Sequence, residues 1–164
     1  MSGQARLLVF VGKTLLFVLA FAAVWPFATP AYARLLAGVT NWALPAHVSL
    51  VAEKSNIVVR SIGVGSASLT SLPFQAGLIM LLALMLATPG LKIKQRLVHI
   101  ILGSIITFAL HVVAMIVIAL NVRATLPLIV LFASVGVDLF PILIWMALSA
   151  RYWLPSLRPA ARSI

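Results

Sequence analysis

Four apolar runs, each close to the length that crosses a bilayer, leave this chain few folds to choose from. They cover about 7–26, 71–91, 97–120 and 126–148. A hydrocarbon core about 30 Å thick takes about 20 helical residues to cross. Inside it each backbone N–H and C=O must be bonded within the protein, which makes helices the default spanning structure. The chain is 63% hydrophobic and 9% charged, far from the balance of a soluble domain. We read it as an all-α membrane protein of about four transmembrane helices, forming a single membrane domain over residues 1–164.

A weaker run, 30–44, carries Tyr32, Arg34 and Trp42. It is short for a span and reads as an interfacial helix. The first run, with "AFAAVWPFATPAYA" at its end, has small residues like those of a signal-peptide cleavage site. Its length and the interruption at Lys13 favour a retained anchor, with the Lys13 amine reaching back to the surface.

Cationic residues orient the bundle. Arg6, Lys13, Lys92, Lys94, Arg96, Arg151, Arg158 and Arg162 fall on one side of the four runs; Arg34, Lys54, Arg60 and Arg123 fall on the other. The positive-inside rule then places both termini in the cytoplasm; the expected location is integral to a bacterial inner membrane. Trp25, Trp42 and Trp153 stand near run ends, where an indole prefers the headgroup layer. A net charge of +10 would suggest nucleic acid in a soluble protein. Here the cations flank apolar runs, so the expected partners are anionic lipids, held by Lys92, Lys94, Arg96 and Arg151, and not nucleic acid.

The extracytoplasmic segment is 45–70. In "HVSLVAEKSNIVVRS" two β-branched stretches flank the polar turn "EKSN", the pattern of a short hairpin. An isolated hairpin is marginal in water, so this one needs support. Val48, Ile57, Val58, Val59 and Arg60 are the expected docking residues for another membrane subunit.

Candidate chemistry is sparse. Asp138 is the one acid inside a run, and an intramembrane carboxylate calls for a partner or a wet cavity. His111, at similar depth in the third run, is the natural partner. The pair reads either as an interhelical hydrogen bond or as part of a proton relay. His99 reads as interfacial and His47 as solvated. His99 and His111 are twelve residues apart on one helix, about 18 Å along its axis, so no metal or haem site is expected from them. No cofactor is expected. Gly103, Ser104 and Thr107 allow close helix approach. Gly136 and Pro141 bracket Asp138 and predict a kink. Ser66, Ser68, Thr70 and Ser71 gather before the second run. A serine nucleophile needs a base within hydrogen-bond reach, and no histidine is close in sequence. The stretch reads as a polar lead-in to the second run.

The segment "NIVVRSIGVGSASLTSLPFQAGLIMLLALMLATPGLKIKQRLVHIILG", with "LFPILIWMAL" further on, resembles the core of the exosortase/archaeosortase family. These are membrane-embedded cysteine transpeptidases that process C-terminally tagged exported proteins. The likeness covers about Val48 to Leu148 and rests on the order of parts: a first span, a weak helix, a β segment leading into a span, a proline and a basic turn. It implies a catalytic cysteine at about Ser71 or Leu72, but the chain has no cysteine. It implies an arginine just after an asparagine, where this chain has either His111 and Ala114 or Asn121 and Arg123. The family's histidine falls near Pro141, close to Asp138. The resemblance thus implies a degenerate, non-catalytic relative acting as an accessory or assembly subunit. Two other functions remain open from the residues: a serine-dependent processing enzyme using Ser71, and a small transporter or proton-relay protein using Asp138 and His111.

Overall fold

The computed structural model describes residues 3–54, 56–61, 65–69, 74–120, 139–149 and 152. Its elements are α1 (Gly3–Asn41), β1 (Val48–Glu53), β2 (Asn56–Ser61), β3 (Gly65–Leu69), α2 (Phe74–Ala87) and α3 (Ile93–Leu120), together with a short apolar helix, α4 (Leu139–Ser149). The chain is mostly helical with one small antiparallel sheet. Two helices, α1 and α3, are long and apolar enough to cross a membrane.

The first correction concerns α1. The expected anchor at 7–26 and the expected interfacial helix at 30–44 are one continuous helix of 39 residues that passes through Pro26 and Pro30. A proline inside a helix removes one N–H donor and crowds the preceding turn. Two prolines four residues apart put both losses on one face, which favours a bend over a break. The Thr29 hydroxyl, between the two prolines in sequence, donates to the carbonyl of Trp25 at 2.9 Å. At 1.5 Å per residue α1 is about 58 Å long, nearly twice a hydrocarbon core.

The second correction concerns the run at 71–91. Its helix, described from Phe74, stops at Ala87, four residues before the expected 91; residues 71–73 lie outside the described residues. Thr88 closes it with both its N–H and its hydroxyl on the carbonyl of Leu84, at 3.0 and 2.6 Å. Pro89 cannot continue the helix, and Gly90 turns the chain at φ 78, a left-handed conformation that glycine adopts without a Cβ penalty. α3 then starts at Ile93, four residues before the expected 97, and runs to Leu120, the last described residue before 139. Gln95 supports its start by accepting from the N–H of Lys92 at 3.3 Å. Of the fourth run, 126–148, residues 126–138 lie outside the described residues; the remainder falls in α4.

The hairpin at "EKSN" is present. β1 and β2 pair antiparallel from Val48↔Ser61 to Glu53↔Asn56, and Lys54 takes the left-handed φ of 56 that a tight turn requires. The sheet has a third strand: β3 pairs with β2 from Ile57↔Leu69 to Ser61↔Gly65, in the order β1-β2-β3. "GSASL" is therefore strand, although its glycine and serines have low strand propensity; pairing to a central strand overrides that preference.

The sheet is supported as the sequence requires. One core joins the last turns of α1 (Ala33, Leu36, Ala37), the inner sheet face (Val48, Leu50, Ile57, Val59) and the C-terminal turns of α3 (Ala114, Met115, Ile118, Ala119). The far end of α3 meets α2 and α4. A Cβ built on Gly103 would lie 3.1 Å from a Leu81 methyl and 3.6 Å from Ile144. That glycine therefore permits close approach of three helices.

Candidate functional site

The polar groups of the bundle collect in two places. The first is directly beneath the sheet. His111, on the inward face of α3, is fully buried. Its Nδ1 is hydrogen-bonded to the hydroxyl of Tyr32, from α1. The two rings stand edge to face, with centroids 5.9 Å apart. Phe108, one turn from His111, packs edge-on to Tyr32 at 5.9 Å. Trp25, two turns before Tyr32, packs at the same separation with tilted planes. An aromatic frame thus holds one hydroxyl and one imidazole in register across two helices.

Hydroxyls adjoin this pair in sequence. Thr107 is one turn from His111 on α3 and is buried. Its Oγ1 has no hydrogen-bond partner among the described residues, and the same holds for Thr40 Oγ1 and Trp25 Nε1. Other helix hydroxyls in this protein donate back to the carbonyl four residues earlier, as Thr14 does to Phe10 and Ser149 to Trp145. Thr40 and Thr107 do not, so their polar ends are left to the interior.

The second polar group is a knot at the opposite end of α3. Thr88 is fully buried, and its hydroxyl accepts from the indole N–H of Trp145, on α4, at 2.8 Å. Its carbonyl accepts from Nη2 of Arg96 at 3.2 Å. A cation at a helix C-terminus is favoured by the partial negative charge there, so Arg96 caps α2 from the first turn of α3. Phe10, near the start of α1, stacks on Trp145 at 6.0 Å. His99 meets the ring of Tyr152 at 6.2 Å. Four helices are tied together within this knot.

Of the residues singled out from sequence, His111 pairs with Tyr32. Asp138, its expected partner, lies outside the described residues, as do Ser71, Leu72, Asn121, Arg123 and Arg151. Ala114 is buried in the core. Val48, Ile57 and Val59, expected at a docking surface, face the chain's own core, and Val58 is buried as well. Only Arg60 of the five is exposed, and it makes a 3.1 Å ion pair with Glu53 in which both side chains are about half exposed. Lys92 and Lys94 are exposed. Arg96 is only half-exposed and is turned inward to Thr88. His47 is exposed and His99 buried. Sequence reasoning missed Tyr32, Thr88 and Trp145. The available signal was a residue type: an aromatic with a polar tip inside an apolar run finds a partner when buried.

Among the described residues no three of His, Cys, Asp and Glu stand close enough to share a metal ion. Comparison with protein families, with curated proteins and with solved structures finds no match.

Proposed function

We propose that this chain is a non-catalytic, integral membrane accessory or assembly subunit of a larger complex in a bacterial inner membrane. Both termini are cytoplasmic and the sheet is outside. The observation that carries the reading is the first half of α1. Its most apolar 18-residue stretch has none of its residues buried among the described residues, so a large apolar surface is left for lipid or for another protein. The cations support the orientation. Lys92, Lys94 and Arg96 lie at one end of α3, and the sheet packs against the other. The likeness to an exosortase-like core supports loss of catalysis, since serine or leucine stands where the family keeps its cysteine. Lys92, Lys94 and Arg151 serve as contacts for anionic headgroups.

The test is an epitope-tagged full chain expressed in bacteria. It is expected to stay in the membrane pellet after alkaline carbonate extraction and to migrate on a native gel well above its own 17.6 kDa plus detergent. Release by carbonate would remove the membrane reading. Migration as a lone monomer would remove the subunit reading.

A second function, proton relay or transport through His111 and Asp138, draws on the buried Tyr32–His111 pair. It requires proton flux in vesicles reconstituted with the purified chain and loss of that flux in His111→Ala.

A further inference from the structure

α1 has a second apolar face, and its outer part, from Leu35 onward, lies where water should reach it. Val24, Ala28, Ala31, Leu35 and Gly38, with Trp42 just past the end of the helix, succeed one another at alternating intervals of four and three residues. That is the spacing at which one helix meshes with another. All six are exposed, Leu35 at 57% and Trp42 at 92%. The opposite face of the same turns, with Ala33, Leu36 and Ala37, packs under the sheet. Among the described residues the row is therefore not part of the core. Gly38 leaves it open to close approach: a Cβ there would meet nothing within 4 Å.

The level of this row separates its occupant from lipid tails. Its outer part sits beside the sheet, whose Glu53–Arg60 pair is half exposed to solvent. α1 is about 58 Å long and the hydrocarbon core about 30 Å thick. With the first half of α1 in the bilayer, Leu35 to Trp42 stand beyond it. Apolar rows of this extent on a wetted surface mark interaction sites. Charge narrows the partner further. Arg34 flanks the row, is exposed, and has no ion-pair partner among the described residues. The chain has twelve basic residues and two acids; Glu53 is already paired with Arg60, and Asp138 lies outside the described residues.

We infer that this face of α1 receives a helix of a partner membrane protein, apolar along the seam and carrying a carboxylate opposite Arg34. The inference rests on the membrane-subunit reading and names its docking surface. A second copy of this chain fits less well, because it would bring another Arg34 and few acids.

The test places a photoreactive benzoylphenylalanine at Ala28, Ala31, Leu35 or Gly38 of the full chain, with Leu16 and Leu19 as positions on the membrane half of α1. Irradiation is done in native membranes. The four row positions are expected to cross-link one protein, whose linked peptide reads as an apolar helix with an Asp or Glu. Arg34→Glu is expected to lower the yield about tenfold or more, because like charges are then opposed, and Arg34→Lys is expected to retain it. An unchanged thermal unfolding midpoint of Arg34→Glu in detergent checks that the exposed change leaves the fold intact. Lipid adducts alone, a product of twice the chain's mass, a linked peptide without an acid, or a yield indifferent to Arg34→Glu would each overturn the inference. A chain that migrates in a large complex while the row stays silent loses this surface and keeps the subunit reading.

Discussion

The Asn41 side chain pairs with both backbone groups of Leu50: Nδ2 donates to the Leu50 carbonyl at 2.9 Å, and Oδ1 accepts from the Leu50 N–H at 2.7 Å. A carboxamide at the end of α1 thereby stands in for a fourth strand. Leu50 lies opposite Val59 in the β1–β2 ladder, and its outward backbone groups would otherwise leave an open sheet edge. Asn41→Leu is expected to destabilise the chain by about 1–3 kcal/mol, the cost of leaving buried partners unpaired. Thermal unfolding in detergent measures the loss. Hydrogen exchange should show it concentrated at the Leu50 amide.

Thr88→Val removes the acceptor for Trp145 while keeping the shape of the side chain. The indole N–H is left in the interior without that bond, at an expected cost of about 1–3 kcal/mol. Thr88→Ser retains the hydroxyl and is expected to keep most of the stability. Trp145 fluorescence reports the change locally once Trp25, Trp42 and Trp153 are replaced by phenylalanine.

Tyr32→Phe and His111→Phe each break the bond between α1 and α3. Hydrogen bonds between membrane helices are worth about 0.6 kcal/mol on average and up to about 1.7. The double mutant is expected to be more stable than the sum of the single losses predicts, by about that amount. Full additivity in a double-mutant cycle would show that the pair does not couple the helices.

Gly103→Leu inserts a side chain where Leu81 and Ile144 leave no room. Overpacking of this kind costs about 1–3 kcal/mol or more, and the variant is expected to lose thermal stability and become sensitive to protease within α2. Gly103→Ala sets a tight 3.1 Å contact with a flexible leucine methyl against a gain in helix propensity of about 1 kcal/mol. Its expected effect is correspondingly small.

Legibility from sequence tracked the range of the forces involved. The hairpin was readable because "EKSN" combines turn residues with flanking β-branched stretches, a signal confined to a few neighbours. α3 was readable because nothing inside it breaks an apolar helix, and the stop after α2 is written in Pro89 and Gly90. The continuity of α1 was not readable. Pro26 and Pro30 have the local meaning of a break, and it is the packing of Ala33, Leu36 and Ala37 under the sheet that accompanies the helix through them. β3 was hidden for a similar reason: "GSASL" is strand through its ladder to β2. The candidate polar pair was half legible. His111 stood out as a titratable group in an apolar run, but its observed partner comes from a segment 79 residues away whose sequence reads as interfacial.

The unbroken course of α1 also fixes a rotational register. Phe10 meets the Thr88–Trp145 knot, Tyr32 meets His111, and Asn41 meets Leu50, all from one rod. Each residue added to a helix rotates the downstream turns by about 100° and advances them by about 1.5 Å. One residue inserted between Val11 and Val24 would leave the first contact in place and swing Tyr32 and Asn41 together away from their partners. Insertion of a whole heptad would restore the angle nearly enough but lift the sheet by about 10 Å. The outer sheet and the basic end of the bundle therefore share one gauge, and the length of α1 cannot drift without both ends recording it.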